Sequence, residues 1–327
     1  MDKYKKMSYI STLILVLALY GVLGALIGAG YISRYLTCIM IIICINIILA
    51  VSLNITVGCL GQITIGHAGF MSVGAYAAAL FSKSGILEGL PGYLVALIIG
   101  GIVAGIVGII IGIPALRLNG DYLAIITLAF GEIIRVLIEY FKFTGGAQGL
   151  RGIPRTSSNF TVIYFVMVIS VMMMFSLMTS RHGRAVLSIR DDEIASGASG
   201  VNTTYYKTFA FTVSAVFAGV AGAVYAHHLG ILGAKQFDFN YSINILTMVV
   251  LGGMGSFTGS ILSAIALTIL PEVLRGFSDY RMIVYSLLLI LTMIFRPTGL
   301  FGRKEFQITP IIKKFLRKKE GKDEQQQ

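Results

Sequence analysis

The chain has 327 residues, of which 56% are hydrophobic and 13% charged, with a formal net charge of +11. A water-soluble domain cannot bury so large an apolar fraction, so the composition excludes that class and predicts a membrane protein. The apolar segments are continuous rather than alternating, which favours membrane-spanning helices over a β-barrel. The sequence therefore predicts an all-α integral membrane protein.

About ten segments are long and apolar enough to be predicted as membrane-spanning helices, although eight or nine would also fit. The first follows the basic start MDKYKK and continues too far for the core of a cleavable signal peptide. In chain order the segments cover residues 10–30, 35–57, 64–82, 92–116, 121–141, 159–180, 207–229, 240–252, 257–274 and 281–296.

The basic residues are unevenly distributed between the predicted loops. If the N-terminus is cytoplasmic, about two-thirds of the lysines and arginines lie on the cytoplasmic side, in agreement with the known positive-inside bias. Many of them belong to a basic tail at residues 305–327, which is typical of a segment attracted to anionic lipid. We therefore predict that both termini are cytoplasmic, that the chain contacts membrane lipid, and that it binds no nucleic acid.

Two glycine-rich passages divide the chain into two weakly similar halves. VGCLGQITIGHAGFMSVGAYAAAL covers residues 57–80 and VLGGMGSFTGSILSAIALTIL covers residues 250–270, and each precedes an Asp-Tyr pair that opens an apolar segment. Glycine lets helix backbones approach closely, and broken helices are tolerated in a membrane where protein or a wet cavity surrounds them. Repeated halves often place a transport pathway at their interface. The glycines predicted to serve helix packing are Gly66, Gly69, Gly74, Gly252, Gly253 and Gly255.

The segment FGEIIRVLIEY places two charges inside a predicted span. Counted from Asp121, Glu132 lies roughly 16 Å along the helix, near the middle of the bilayer. Arg135 follows at i+3, where the two side chains can pair. Charges at this depth usually face protein or water, so the pair either lines a substrate pathway or fixes helix packing. The candidate pathway residues are Gln62, His67, Glu132, Arg135 and Asn244, and the uncharged ones can instead be satisfied within helix packing.

Residues with catalytic or cofactor-binding chemistry are few. The chain has no G-x-x-x-x-G-K-[ST] phosphate loop. His227 and His228 are adjacent and point in different directions on a helix, so they cannot form an i, i+4 metal pair. Cys38, Cys44 and Cys59 are typical of small buried hydrophobic residues rather than a disulfide or metal set. We therefore predict no catalytic site, no metal and no cofactor.

The strongest polar interruption is GRAVLSIRDDEIASGASGVN, residues 183–202. Ser188 followed by Asp191 fits a helix N-terminus, and Gly197 and Gly200 fit its end. We predict one short amphipathic helix on the cytoplasmic face. Its small and charged surface fits a cleft on a soluble partner, because a helix resting on headgroups would be more basic and more hydrophobic. The predicted apolar stripe of this helix consists of Leu187, Ile194, Ala198 and Val201.

Residues 183–226 resemble the coupling region of permease subunits in branched-chain amino-acid ATP-binding-cassette importers. The passages LGQITIGHAGFMSVGAYAAA, GDYLAIITLAFGEIIRVL, TGGAQGLRGIP and LGGMGSFTGSILSAI are similar to other recurrent passages of that family and occur in the same order. The resemblance covers residues 40–302 and is greatest to the longer of the two permease types.

The resemblance implies a permease domain at residues 1–304, with a coupling loop at 181–206, in a bacterial or archaeal cell membrane. It implies as partners a second homologous permease, two cytoplasmic ATP-binding subunits that hydrolyse ATP, and an extracytoplasmic substrate-binding protein. The implied cargo is leucine, isoleucine or valine, although similar permeases carry urea or short amides. The hydrophobic-Pro ending of the wider coupling pattern is missing here. The residues implied in ATPase coupling are Arg190, Asp192, Glu193, Ala195, Ala198 and Gly200.

Two other functions are open from the residues alone. A secondary transporter would use Glu132 as a proton carrier and would need no ATPase. An integral membrane enzyme would use Asp191, Asp192 and Glu193 at the cytoplasmic face. Transport driven by a proton gradient would indicate the first, and loss of a turnover activity on mutating the three acids would indicate the second.

Overall fold

The computed structural model describes residues 3–118, 120–155 and 159–280, with scattered positions between 283 and 302. Two-residue strands β1 (Leu150–Arg151) and β2 (Ile231–Leu232) pair in antiparallel orientation. Short 3-10 turns cover Lys142–Thr144, Gly146–Gln148, Ala234–Phe237 and Leu274–Tyr280. The α-helices are α1 (Lys3–Gly28), α2 (Arg34–Asn54), α3 (His67–Lys83), α4 (Gly89–Ala115), α5 (Asp121–Tyr140), α6 (Phe160–Thr179), α7 (Arg181–Asp191), α8 (Glu193–Ala198), α9 (Thr203–Leu229), α10 (Phe239–Gly252) and α11 (Phe257–Val273).

The predicted all-α membrane fold is confirmed. Eight of the predicted spans correspond to α2–α6 and α9–α11 within a few residues, and the first corresponds to α1, which begins seven residues earlier than predicted. The tenth, at residues 281–296, lies largely outside the described residues. Helices α3 and α10 are short, and α5 carries several charges, so length and composition alone do not mark these three as spans. Among the described residues, the helices that are long and apolar enough to cross a membrane are Arg34–Cys59, Gly89–Ala115, Phe160–Thr179, Thr203–Leu229 and Phe257–Gly276.

The chain divides into two compact units. One consists of residues 1–37 and 304–327, and among its described elements is the apolar helix α1. The other consists of residues 38–303 and contains helices α3 to α11. The predicted basic tail at residues 305–327 lies outside the described residues.

Helices α3, α4 and α9 pack together through glycines. A Cβ atom placed on Gly74 of α3 would lie 2.2 Å from the Cα of Gly219 in α9. A Cβ atom on Gly100 of α4 would lie 2.8 Å from the carbonyl oxygen of Gly74. The three backbones can approach this closely only because these positions carry no side chain. The other face of α4 is exposed and typical of a lipid-facing surface, with Leu94, Ile98, Ile102, Ile106, Ile109 and Ile113.

The two glycine-rich passages meet where two helices are interrupted. Helix α2 continues into a π-helical turn, Ile55–Cys59, before the chain becomes irregular. The buried Asn54 joins this turn to the loop between α10 and α11: its Oδ1 accepts a hydrogen bond from Gly255 N at 2.9 Å, and its Nδ2 donates to Ser256 O at 3.1 Å. A Cβ atom on Gly58 would lie 2.2 Å from Gly255 N. We call Asn54, Gly58 and Gly255 the helix-break junction.

The central polar stretch forms two helices, α7 and α8, so the prediction of one helix beginning at Ser188 is wrong. Ser188 lies inside α7, where its hydroxyl donates to Ala185 O at 2.9 Å. Helix α7 is capped by Ser180 instead. Asp192 has an extended backbone and its Oδ1 accepts from Ala195 N at 2.9 Å, so its carboxylate caps α8 and separates the two helices.

The break at Asp192 also overturns the predicted apolar stripe. Residues before and after the break do not share one helix face. Helix α7 buries Val186 and Ile189, whereas Ile194 of α8 is 86% exposed. The predicted helix end is found where expected, because Gly200 follows α8 in a left-handed conformation with φ of +86°.

Candidate functional site

The α7–α8 segment is tied to the rest of the chain by two basic side chains. Lys207 of α9, only 5% exposed, donates to Glu193 at an N–O distance of 2.6 Å. Arg190 turns inward, and its Nη1 donates to the carbonyl oxygen of Gly58 at 3.2 Å. The Nε and Nη2 of the same guanidinium contact Asp191 Oδ1 at 3.1 and 3.0 Å. One tie therefore holds α8 to α9, and the other holds α7 to the helix-break junction.

The residues predicted to contact an ATPase differ in what they do within the chain. Arg190 and Glu193 are engaged by internal partners, and Asp192 is used as a helix cap. Lys207 is not among the predicted site residues, although a single lysine at the start of an apolar helix is a signal that marks it as unusual. The remaining predicted coupling residues, Ala195, Ala198 and Gly200, have exposed positions.

Arg135 lies between two carboxylates of its own helix, α5. Its Nε is 2.7 Å from Glu132 Oε2, and its Nη1 is 3.4 Å from Glu139 Oε2. All three side chains are a quarter to a third exposed. Because the three residues belong to one helix, these ion pairs do not connect α5 to a neighbouring helix. Glu139 was missed by the sequence analysis, although it lies at i+4 from Arg135 in the quoted segment.

A narrow cleft lies beside Glu132. Its lining includes Gly69 of α3, Gly131 of α5, Asp238, and Ser242 of α10. Helices α3 and α5 are close here, because a Cβ atom on Gly69 would lie 2.9 Å from the Cα of Gly131. Glu132 and Asp238 therefore both line the cleft. Asp238, which is not among the predicted site residues, also caps α10 by accepting a hydrogen bond from Tyr241 N at 3.0 Å.

The remaining predicted pathway residues lie in three different environments. His67 is buried, and its Nε2 is 2.9 Å from Ser52 Oγ. Gln62 is partly exposed, and its Oε1 has no hydrogen-bond partner among the described residues. Asn244 is exposed on α10. Within the described ranges, no hydrogen bond joins these three residues to the charges of α5.

The predicted packing glycines lie at close backbone contacts. A Cβ atom on Gly66 would lie 2.2 Å from Thr127 O, and one on Gly252 would lie 2.5 Å from the carbonyl group of Gly259. Contacts this short leave no room for any side chain. Added Cβ atoms would also meet backbone atoms at 3.3 Å or less at Gly69, Gly74, Gly253 and Gly255.

Comparison with known proteins identifies the family. Residues 32–294 match a family model described as the permease component of branched-chain amino acid transport systems. The chain is 37% identical to the high-affinity branched-chain amino acid transport system permease protein LivM of Salmonella typhimurium, over 78% of this chain and 67% of that protein. It is 38% identical to LivM of Escherichia coli, with the same coverage.

The shorter permease type is more distant. The chain is 24% identical to the permease protein LivH of Salmonella typhimurium, over 80% of this chain and 92% of that protein. The greater identity to LivM confirms the predicted resemblance to the longer type. The chain belongs to the family of permease components of branched-chain amino acid transport systems.

Proposed function

We propose that this chain is a membrane-spanning permease subunit of an ATP-driven importer for leucine, isoleucine and valine, and that it couples to separate ATPase subunits through the α7–α8 segment. The observation that carries the coupling role is the division of this segment into an anchored side and an exposed side. Arg190 and Lys207 hold the anchored side, while Ile194 is 86% exposed.

The exposed side of α8 has the properties of a surface that enters a cleft. Ile194 is a large apolar side chain on a six-residue helix, and its neighbours Ala195 and Gly197 are small. Burying Ile194 against a soluble partner would remove its apolar surface from water. Asp191 and Glu193 lie beside it with exposed carboxylates that can meet opposite charges at the rim of the cleft.

The proposed pathway runs beside α5. One face of this helix is exposed and includes Ile125, Ile133, Val136 and Tyr140, and the partly exposed Glu132–Arg135 pair lies on the same helix. We propose that a second, homologous permease covers this face. The similarity of this chain to both LivM and LivH supports the proposal, because it relates two permease types to one fold.

We place the chain in the cell membrane of a bacterium or archaeon, with both termini and the α7–α8 segment in the cytoplasm. An extracytoplasmic binding protein would then deliver the amino acid to the opposite end. The charge bias of the loops supports this orientation. Residues 1–304 would form the permease domain, and residues 305–327 a basic tail at the lipid surface.

Co-purification tests the assembly. A tagged copy of the chain is extracted from native membranes in mild detergent, and its partners are identified by mass spectrometry. We expect a second permease and two ATPase subunits. Recovery of the chain alone, under conditions that keep a control importer intact, would contradict the proposal and favour a proton-coupled transporter.

Uptake into proteoliposomes tests the substrate. The purified complex is reconstituted, and the binding protein is supplied on the outer side with ATP inside. We expect ATP-dependent accumulation of leucine, and none of urea or a short amide. A proton gradient without ATP is the control, and accumulation under that condition would contradict ATP coupling.

A further inference from the structure

We propose that Arg190 is a positioning residue that transmits movement of the α7–α8 segment to both helix breaks. The inference rests on the proposed function and adds to it a specific connection inside the chain. Arg190 belongs to α7, while the atoms it reaches belong to the end of α2 and to the loop between α10 and α11.

The guanidinium binds the end of α2 with matching charge. Gly58 lies in the last turn before the helical part of this segment ends, so its carbonyl oxygen is among those without a partner in a following turn. Arg190 Nη1 donates to this oxygen at 3.2 Å. A positive charge at a helix C-terminus is also favoured by the helix dipole.

The stem and the tip of Arg190 lie against two further glycines. A Cβ atom on Gly61, which has a φ of +78°, would lie 2.8 Å from Arg190 Cγ. A Cβ atom on Gly255 would lie 3.4 Å from Arg190 Nη1 and 3.3 Å from Gly58 O. One side chain therefore binds Gly58 and lies close to Gly255, which belong to the two sides of the helix-break junction.

Asp191 fixes the orientation of the guanidinium from outside. Its Oδ1 contacts Arg190 Nε and Nη2 at 3.1 and 3.0 Å, which leaves Nη1 directed towards Gly58. The Asp191 side chain is 64% exposed, whereas the Arg190 side chain is 20% exposed. A partner that displaces the α7–α8 segment would thus act on an exposed carboxylate and move a mostly covered guanidinium. Withdrawal of Nη1 from Gly58 would release the hydrogen bond that joins α7 to the junction, while both hydrogen bonds of Asn54 across the junction remain.

A thiol already present in the chain reports on the junction. Cys59 follows Gly58 directly and is 2% exposed, so it reacts with a maleimide only when the junction opens. The other cysteines, Cys38 and Cys44, can be replaced by Ser and Ala to leave Cys59 as the single thiol. The labelling rate then measures opening without requiring ATP or substrate.

The experiment compares Arg190→Gln and Arg190→Lys in the full complex. We expect Arg190→Gln to accelerate Cys59 labelling severalfold and to lower the number of leucine molecules imported per ATP hydrolysed, while ATP hydrolysis continues. Arg190→Lys keeps the positive charge but loses the several N–H donors of the guanidinium group. We therefore expect its labelling rate and its import per ATP to lie between those of the wild type and Arg190→Gln. It also provides the test if Arg190→Gln does not fold. The matched control is Arg184→Gln on the same helix, because Arg184 donates to Thr179 O and lies away from the junction.

The outcomes separate this proposal from the proposed function. A wild-type complex that never imports leucine with ATP would overturn the importer function. If the wild-type complex imports leucine, unchanged labelling and unchanged coupling in both Arg190 variants would overturn the role of Arg190 alone. Equal effects in the Arg184 control would overturn it as well, since they would show a general loss of α7 stability.

Discussion

At the residue scale, the contact between Glu193 and Lys207 means that a substitution at Glu193 has two effects. A change at Glu193 affects the proposed ATPase surface and also leaves Lys207, 5% exposed, without its partner. Removing one member of a covered ion pair costs more than the pair itself contributes, because the remaining charge stays desolvated. Uncoupled transport in a Glu193 variant is therefore not by itself evidence of lost ATPase contact.

A double-mutant cycle separates the two effects. We expect Glu193→Gln to lower the free energy of unfolding by about 1–3 kcal/mol, since a covered charge loses its partner. Adding Lys207→Met should restore part of that loss, because the unpaired charge is removed. Thermal unfolding of the detergent-solubilised chain provides the measurement, and additive effects of the two changes would show that the pair does not interact.

The charges of α5 give a second prediction at this scale. Glu132 and Asp238 both line the cleft, whereas Glu139, the other partner of Arg135, is not among its lining residues. We expect Glu132→Gln to lower leucine uptake severalfold and to leave the melting temperature nearly unchanged, because Arg135 keeps Glu139. The matched variant Glu139→Gln should retain uptake. If both variants have lower melting temperatures but their folded fraction transports leucine normally, the ion pairs of Arg135 are structural.

At the element scale, glycine determines how closely α3, α4 and α9 approach. We predict that Gly74→Ala destabilises the chain by about 1–3 kcal/mol, because the new methyl group would overlap the backbone of Gly219. Gly21→Ala in α1 is the control, since no described residue comes within 4 Å of a Cβ atom placed there. The control should be neutral or slightly stabilising. Similar melting temperatures for the two variants would contradict the close approach.

At the end of α8, glycine is favoured at position 200 by its backbone conformation and not by lack of room for a side chain. Gly200 has a φ of +86°, and a Cβ atom there would have no atom of the described part of the chain within 4 Å. We expect Gly200→Glu to impair ATP-driven uptake, because a left-handed residue other than glycine costs about 1–2 kcal/mol and displaces α8. Gly200→Asn should keep most uptake, since asparagine tolerates this conformation. The measurement is ATP-driven uptake in both variants. Equal loss of uptake would contradict the role of backbone conformation, because it would indicate that any side chain at position 200 impairs uptake.

At the scale of the whole molecule, the sequence predicts the helices better than their connections. Eight spans agree with the observed helices within a few residues, and α1 differs by seven residues at its start, because apolar length is a local property but the exact end of a helix is not. The division of the polar stretch was missed, since a capping serine and a capping aspartate look equally suitable and only the fold decides between Ser188 and Asp192. The Glu193–Lys207 pair could not be predicted, because a single sequence does not reveal which distant residues meet.

The helix-break junction also has a consequence for biogenesis. Asn54 emerges from the ribosome early, but both backbone groups that satisfy its amide, at Gly255 and Ser256, are made about 200 residues later. Until then, the Asn54 side-chain amide lies in an apolar environment without these partners, and an unpaired polar group in the membrane is unfavourable in free energy. The first half can therefore complete its polar pairing only after α11 begins to enter the membrane. A nascent chain stalled before Gly255 would therefore hold an Asn54 amide that lacks both of these partners.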